Sequence, residues 1–204
     1  MPSTRLLVLG THNHKKLQEL QNLLAAAGIQ LRTLADFSSP LAIPETETTF
    51  AGNARLKATR QAPHLGHWVL AEDSGLMVDA LDGAPGTRSA RFAGEQATDS
   101  ANNDLLLARL SGITLPQRTA HYACHVTLSD PQGVVRAECA GECRGRIREQ
   151  PAGTSGFGYD PLFEVMEYHR TFAELGESVK SMISHRGRAL RLMIRQLLPL
   201  LAGE

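Results

Sequence analysis

The stretch Val69–Val78, reading V-L-A-E-D-S-G-L-M-V, constrains this chain more than any other. An apolar run (Trp68, Val69, Leu70, Ala71) meets two adjacent carboxylates, Glu72 and Asp73, and the apolar pattern resumes at Leu76, Met77 and Val78. Two acids at the end of a buried strand are costly unless they meet a cation or water. The pattern therefore predicts a strand, a turn at Ser74-Gly75, and carboxylates presented at the edge of a sheet, where ligands of α/β proteins sit. A solvated turn with Asp-Ser-Gly chemistry is the plainer alternative.

The beginning of the chain repeats the strand-then-polar order. Arg5 to Gly10 reads as a buried strand, and Thr11-His12-Asn13-His14-Lys15-Lys16 follows at once. Leu17, Leu20, Leu24 and Ala27 recur at helical spacing, with Gly28 as the C-terminal cap. Backbone N–H groups at such a turn, the helix dipole, and Lys15 and Lys16 in the first turn together describe an anion site. Solvated lysines are the alternative. No Walker A loop is present here or elsewhere. His12 and His14 have no matching cluster that would make them metal ligands.

Farther along, Ile29 to Leu34 reads as a second strand, and residues 35–48, with Pro40, Pro44, Glu45 and Glu47, as a loop. Thr49 caps a helix running toward His64, on which Asn53 and Lys57 share a face. That face matters only if it points at the acids. Asp79 to Glu95 is rich in glycine, with Arg88 and Arg91 three apart, and Asp99 to Leu110 is a helix capped by Thr98 or Ser100. Arg118–Ser129 and Val134–Arg144 flank Asp130-Pro131-Gln132-Gly133, a hairpin signal. Cys139 and Cys143 on its second strand are packing residues, and Arg144, Arg146 and Arg148 are expected along a solvated edge.

From Pro151 the chain reads P-A-G-T-S-G-F-G-Y-D-P, permissive of close backbone approach to a ligand. Phe157 and Tyr159 offer a flat surface on which a base can stack; two core aromatics are the alternative. Leu162–Val165 is a short strand. A last helix, capped by Ser184, carries Leu190, Met193, Ile194 and Leu197 toward the core. His185 and Arg186 in its first turn oppose the helix dipole, and such inconsistencies mark ligand sites.

A length of 204 residues suits one domain or two small lobes. Basic and acidic residues balance at 21 each, which argues against bulk attraction to polynucleotides or anionic membranes. Three cysteines (Cys124, Cys139, Cys143) without zinc-ribbon spacing argue for reduced thiols. Neither terminus carries an apolar run long enough for a signal peptide or a membrane span, so a cytoplasmic protein is expected.

Six segments stand in register: T-H-N-H-K-K, E-T-E-T-T-F-A-G-N-A-R-L-K-A, A-E-D-S-G-L, G-A-P-G-T-R-S-A-R-F, P-A-G-T-S-G-F-G-Y-D-P and K-S-M-I-S-H-R-G-R-A-L. Together they resemble the inosine triphosphate pyrophosphatase family, the XTP/dITP diphosphatases, from about Leu6 to Leu198. The resemblance implies a mixed α/β fold with a twisted sheet in two lobes, a central cleft and flanking helices. One domain over 1–204 is expected, and the hairpin strands suggest that the region of roughly 112–150 is the smaller lobe or an extension of the sheet. The resemblance also implies a homodimer and Mg²⁺-dependent hydrolysis of ITP, dITP and XTP to the monophosphate and pyrophosphate.

By matched positions, the resemblance makes Thr11, His12, Asn13, His14, Lys15 and Lys16 the phosphate-contacting loop. Glu45 and Asp73 match its metal-binding acids, and Asp73 also its proton acceptor. Ser74, Lys57 and Lys180 match substrate contacts, Phe157, Gly158, Tyr159 and Asp160 the base-binding loop, and His185 with Arg186 the reader of the purine edge. Glu72 is assigned a second ion or an outer-shell water. The chain departs from the family pattern at His12 and Ser155, where glycine is commoner. A Maf-type pyrophosphatase and a non-catalytic nucleotide-binding module are the rival readings. The S-H-R-G and G-F-G-Y-D segments argue against the first, and the acids against the second.

Overall fold

The computed structural model describes residues 6–25 and 29–202. Seven strands, β1 (Leu6–Leu9), β2 (Gln30–Thr33), β3 (Trp68–Val78), β4 (Thr119–Ser129), β5 (Val135–Ile147), β6 (Phe163–Val165) and β7 (Arg170–Thr171), pair in the order β2-β1-β3-β4-β5-β6-β7. Five helices accompany them: α1 (His14–Ala25), α2 (Phe50–Leu65), α3 (Asp99–Arg109), α4 (Phe172–Ile183) and α5 (His185–Ala202). The mixed α/β class expected from the sequence is the one observed. The expected cap at Gly28, with Ala27 before it, lies outside the described residues.

The chain divides into two compact units. The first comprises Met1–Asp73, Cys124–Gly141 and Arg186–Glu204, and the second Ser74–Ala123 and Glu142–His185. The hairpin strands β4 and β5 contribute residues to both.

In the first unit β1 pairs parallel with β2 and with β3, in the register Leu7↔Trp68, Val8↔Val69 and Leu9↔Leu70. Strand side chains alternate between faces, and the packing follows. Leu7, Leu9, Trp68 and Leu70 join Leu20 and Leu24 of α1 and Leu190, Met193 and Leu197 of α5. Val8 and Val69 turn to the other face and meet Leu34 and Ala62, the latter on α2. Each of these fully buried aliphatic side chains contributes about 1.5–3 kcal/mol.

Helix α2 begins as the sequence predicts. Thr49 Oγ1 accepts from the Gly52 N–H at 3.0 Å, and Gly66, at a φ of 67°, ends the helix. Helix α1 is capped by Asn13, whose Oδ1 accepts from the Lys16 N–H at 3.1 Å.

The second unit gathers Leu76, Val78, Leu106, Tyr122, Phe163 and Phe172 into its own core, in which the Tyr122 and Phe163 rings meet edge-on at 4.8 Å. Thr98 Oγ1 caps α3 by accepting from the Ala101 N–H at 3.1 Å, which decides between the two predicted caps.

Two expectations fail here. No turn occurs at Ser74-Gly75: β3 runs unbroken from Trp68 to Val78, with Glu72 and Asp73 buried inside it. Cations gathered around the acids, described below, remove the need to bring them to solvent. Nor do all three arginines line a solvated edge: Arg144 is exposed as expected, but β6 pairs alongside, Arg146↔Glu164, and Arg146 Nη2 reaches Glu164 Oε1 at 2.6 Å, with Arg148 Nη1 3.2 Å from Glu174.

Candidate active site

Because β3 continues through the acids, strand alternation places them on opposite faces. Glu72 follows Trp68 and Leu70 toward α1 and α5, and Asp73 follows Val69 toward α2. Their partners divide accordingly.

Asp73 meets the face of α2 that carries Asn53 and Lys57. Asn53 Nδ2 donates to Asp73 Oδ2 at 3.0 Å, and Lys57 Nζ lies 3.6 Å from Asp73 Oδ1 and 2.8 Å from Glu45 Oε1. The helix face does point at the acids. Burial pushes the Asp73 carboxyl up; Lys57 and Lys16 pull it back without prevailing, and Glu45 adds to the rise. Burial works against the Lys57 ammonium, but Asp73 and Glu45 outweigh it and hold its pKa above the ordinary value. Beside Lys57, a small pocket is lined by Gly10, His12, Leu34, Leu41, Ile43 and Gln61.

Glu72 is buried against a different set of partners. Its Oε1 lies 3.1 Å from Lys16 Nζ, its Oε2 lies 3.5 Å from Arg186 Nε, and the Cys124 thiol donates to Oε2 at 3.2 Å. Burial alone would raise this carboxyl, but Arg186, Lys16 and Lys57 outweigh it and hold Glu72 well below the usual carboxylate range. Arg186, itself 2% exposed, also pairs with Glu19 of α1. Burial would lower its pKa, and Glu72 and Glu19 raise it instead. Both Glu72 carboxylate oxygens face protein cations. Two neighbouring carboxylates pushed in opposite directions differ in role, the more basic one suited to take a proton.

Of the first loop, Thr11 is half-buried and His12 and Asn13 are exposed. Thr11 Oγ1 accepts from the Asn13 N–H at 3.2 Å, which fixes the approach to α1. The side chains of His14 and Lys15 lie outside the described residues. A cation that reaches two carboxylates, as Lys57 does, marks where a divalent ion fits, and magnesium is commonly held by one or two carboxylates completed by phosphate oxygens. Among the described residues no three His, Cys, Asp or Glu side chains gather into a ready cage. Glu45 and Asp73, bridged by Lys57, are the carboxylates that could hold a divalent cation here.

The second unit holds the glycine-rich loop. Phe157 is half-buried, but Tyr159 lies in the core with its hydroxyl donating to the Ser89 carbonyl at 2.9 Å, so the flat surface falls to Phe157. Asp160 Oδ2 accepts from the Phe157 N–H at 2.8 Å and from Lys180 Nζ at 2.7 Å, and that ammonium stands 4.4 Å from the Phe157 ring centroid. Gly158 donates its N–H to Asp99 Oδ2 at 2.9 Å. Ser74 is half-buried in β3 directly after Asp73. His185 stacks on Tyr122 at 4.7 Å with the rings 8° apart.

The Ham1 family profile matches residues 7–196. The chain belongs to the Ham1 family. It is 53% identical to a dITP/XTP pyrophosphatase of Rhodopirellula baltica, over 97% of this chain and 95% of that one. A dITP/XTP pyrophosphatase of an Exiguobacterium species is 47% identical over 97% and 99%. Among solved structures, a HAM1 protein from Coxiella burnetii superposes with a TM-score of 0.87 at 39% identity, covering 95% of this chain and 98% of that one. The family reached from the six motifs is therefore the right one, since its pyrophosphatase name is carried by these relatives.

Sequence reasoning missed two partners in this Ham1 chain, Glu19 and Cys124, and placed Asn53 on the right helix face without pairing it to Asp73. Carrying the strand period through Glu72 and Asp73 would have separated their surroundings. No local signal marks Cys124, which lies far along the chain on β4. The loop itself yields a test. A Cβ on Gly156, at a φ of 79°, would stand 2.1 Å from Asp160 Oδ2. Gly156→Ala is expected to lower stability by about 1–3 kcal/mol, read as a lower denaturant midpoint; an unchanged midpoint would mean the loop does not depend on the Asp160 brace.

Proposed function

We propose that this protein hydrolyses non-standard purine nucleoside triphosphates, ITP, dITP and XTP, to the monophosphate and pyrophosphate, using Mg²⁺. The observation that carries the reading is the convergence of Asp73, Glu45, Lys57 and Asn53 in the first unit. Asp73, its carboxyl raised by burial, accepts the proton of the attacking water. Lys57 and Lys16 supply fixed positive charge where charge develops on the phosphates. Held by Glu45 and Asp73, magnesium would neutralise phosphate oxygens and lower the pKa of bound water.

Purine selection falls to Phe157 as the stacking surface and to His185 and Arg186 as donors toward a 6-keto oxygen. His185 is suited to this because its ring is fixed against Tyr122. Adenine presents an amino group at that position, and a site built on such pairing discriminates by about 10⁴-fold or more. Clearing deaminated purines from the nucleotide pool is the role that follows.

Three free cysteines support a reducing, cytoplasmic setting, and among the described residues no helix is long and apolar enough to cross a membrane. A homodimer belongs to the same reading and is checked by sedimentation.

The test is pyrophosphate release from ITP, XTP, dITP, GTP, ATP and dTTP, with Mg²⁺ and with chelator. Metal-dependent turnover confined to the first three is expected. Turnover of dTTP instead would favour a Maf-like activity, and binding without turnover would defeat the enzyme reading.

A further inference from the structure

We infer that Glu72 is a positioning residue whose charge sets the ammonium of Lys16 and the guanidinium of Arg186 in place. The inference rests on the pyrophosphatase reading for the roles of those two cations, but not for their geometry. Glu72 projects from the face of β3 opposite to Asp73, so it acts apart from the Glu45–Asp73 pair. Both its oxygens are engaged, Oε1 by Lys16 at 3.1 Å and Oε2 by Arg186 at 3.5 Å and by the Cys124 thiol at 3.2 Å. Arg186 is gripped a second time by Glu19, whereas among the described residues the Lys16 ammonium forms its ion pair with Glu72. A lysine is a point charge on a flexible four-carbon stem, and it keeps one rotamer only when something holds its end. Its side chain is 17% exposed, so without that carboxylate the ammonium is released toward water.

The sign of the expected effect separates positioning from a simple field. Glu72 is an anion beside the anion site, so removing its charge by field alone would strengthen phosphate binding. Positioning predicts the opposite: Glu72→Gln weakens it, because Lys16 is no longer aimed. Once Lys16 is removed, Glu72 still holds Arg186 but has no ammonium left to aim at phosphate.

The experiment is a double-mutant cycle with Glu72→Gln and Lys16→Met, read by calorimetric binding of inorganic pyrophosphate without metal and by kcat and KM for ITP with Mg²⁺. Each single variant is expected to weaken pyrophosphate binding by about tenfold, and the double variant to stay within about threefold of the weaker single. Tighter binding by Glu72→Gln, or a double variant equal to the product of the singles, would overturn the inference. The Mg²⁺ concentration for half-maximal rate is expected to be unchanged in Glu72→Gln; a large rise would make Glu72 a metal ligand instead. If the Gln variant gives no cooperative thermal transition, Glu72→Asp carries the same cycle, since it keeps the charge but retracts it by one methylene. Absence of ITP turnover in the wild-type protein would defeat the pyrophosphatase reading, while the pyrophosphate cycle would still decide the coupling.

Discussion

Asp73→Asn is expected to lower ITP turnover by about 10²–10⁴-fold, the usual contribution of a positioned general base, while leaving the chain folded. Asparagine preserves the shape of the side chain, and its amide oxygen can still accept from Asn53 Nδ2, which lies 3.0 Å from Asp73 Oδ2. Lys57 keeps Glu45 as its closest carboxylate, at 2.8 Å. Stability is expected to change little at neutral pH, because the gain from removing a buried carboxylate is offset by Lys57 losing one of its two partners. An acid whose folded-state pKa is raised stabilises the fold fully below its unfolded pKa, and that contribution is lost as pH rises through the folded value. The neutral amide removes this pH-dependent cost. Turnover assays and thermal melts across pH 4–8 on both proteins check the pair of outcomes. Wild-type turnover in the variant would remove Asp73 from the chemistry. A collapsed melting temperature would make it a structural acid.

Arg186→Ala should act in the opposite sense, with a large loss of stability. The guanidinium is 2% exposed and neutralises Glu72 and Glu19, so deletion leaves buried negative charge without its main partner. Breaking such a pair costs about 3–5 kcal/mol, which corresponds to a fall in Tm of about 6–20 °C for a chain of this size. Arg186→Lys keeps one charge but cannot reproduce the planar fork that meets two carboxylates, so an intermediate Tm is expected. Wherever the variants fold, the ratio of kcat/KM for ITP over ATP should also fall. A lowered Tm with an unchanged ratio would make Arg186 a strut alone and leave base reading to His185 and the Phe157 loop.

Strands and helices with clean periodicity were legible in the sequence: the α2 cap at Thr49, the Asp130–Gly133 connection, and the stripe of Leu190, Met193 and Leu197 all stand where predicted. The acids were legible as residues but not as an arrangement. A local rule reads Asp-Ser-Gly as a turn, whereas the actual conformation is set by Lys16, Lys57 and Arg186, which arrive from three helices or their starts. Such long-range charge compensation has no local signature. Tyr159 shows the same limit: aromatic character alone does not tell a stacking platform from a core residue, and the hydrogen bond to Ser89 decides it. The Phe157–Asp160–Lys180 brace likewise joins side chains 20 residues apart in sequence.

The uninterrupted course of β3 carries a consequence for how this segment can vary. Its register is anchored at Leu9↔Leu70 and by the Gly10 N–H donating to the Leu70 carbonyl at 2.8 Å, two residues before the first acid. A single inserted or deleted residue between Leu70 and Glu72 would exchange the faces of the two carboxylates. The intended proton acceptor would then face Arg186 and the thiol, and the permanently ionised acid would face Asn53. Substitution can adjust either environment separately, but length cannot change here by one. Homologous chains that keep this chemistry should therefore align across residues 68–78 without gaps, even where the neighbouring loops differ in length.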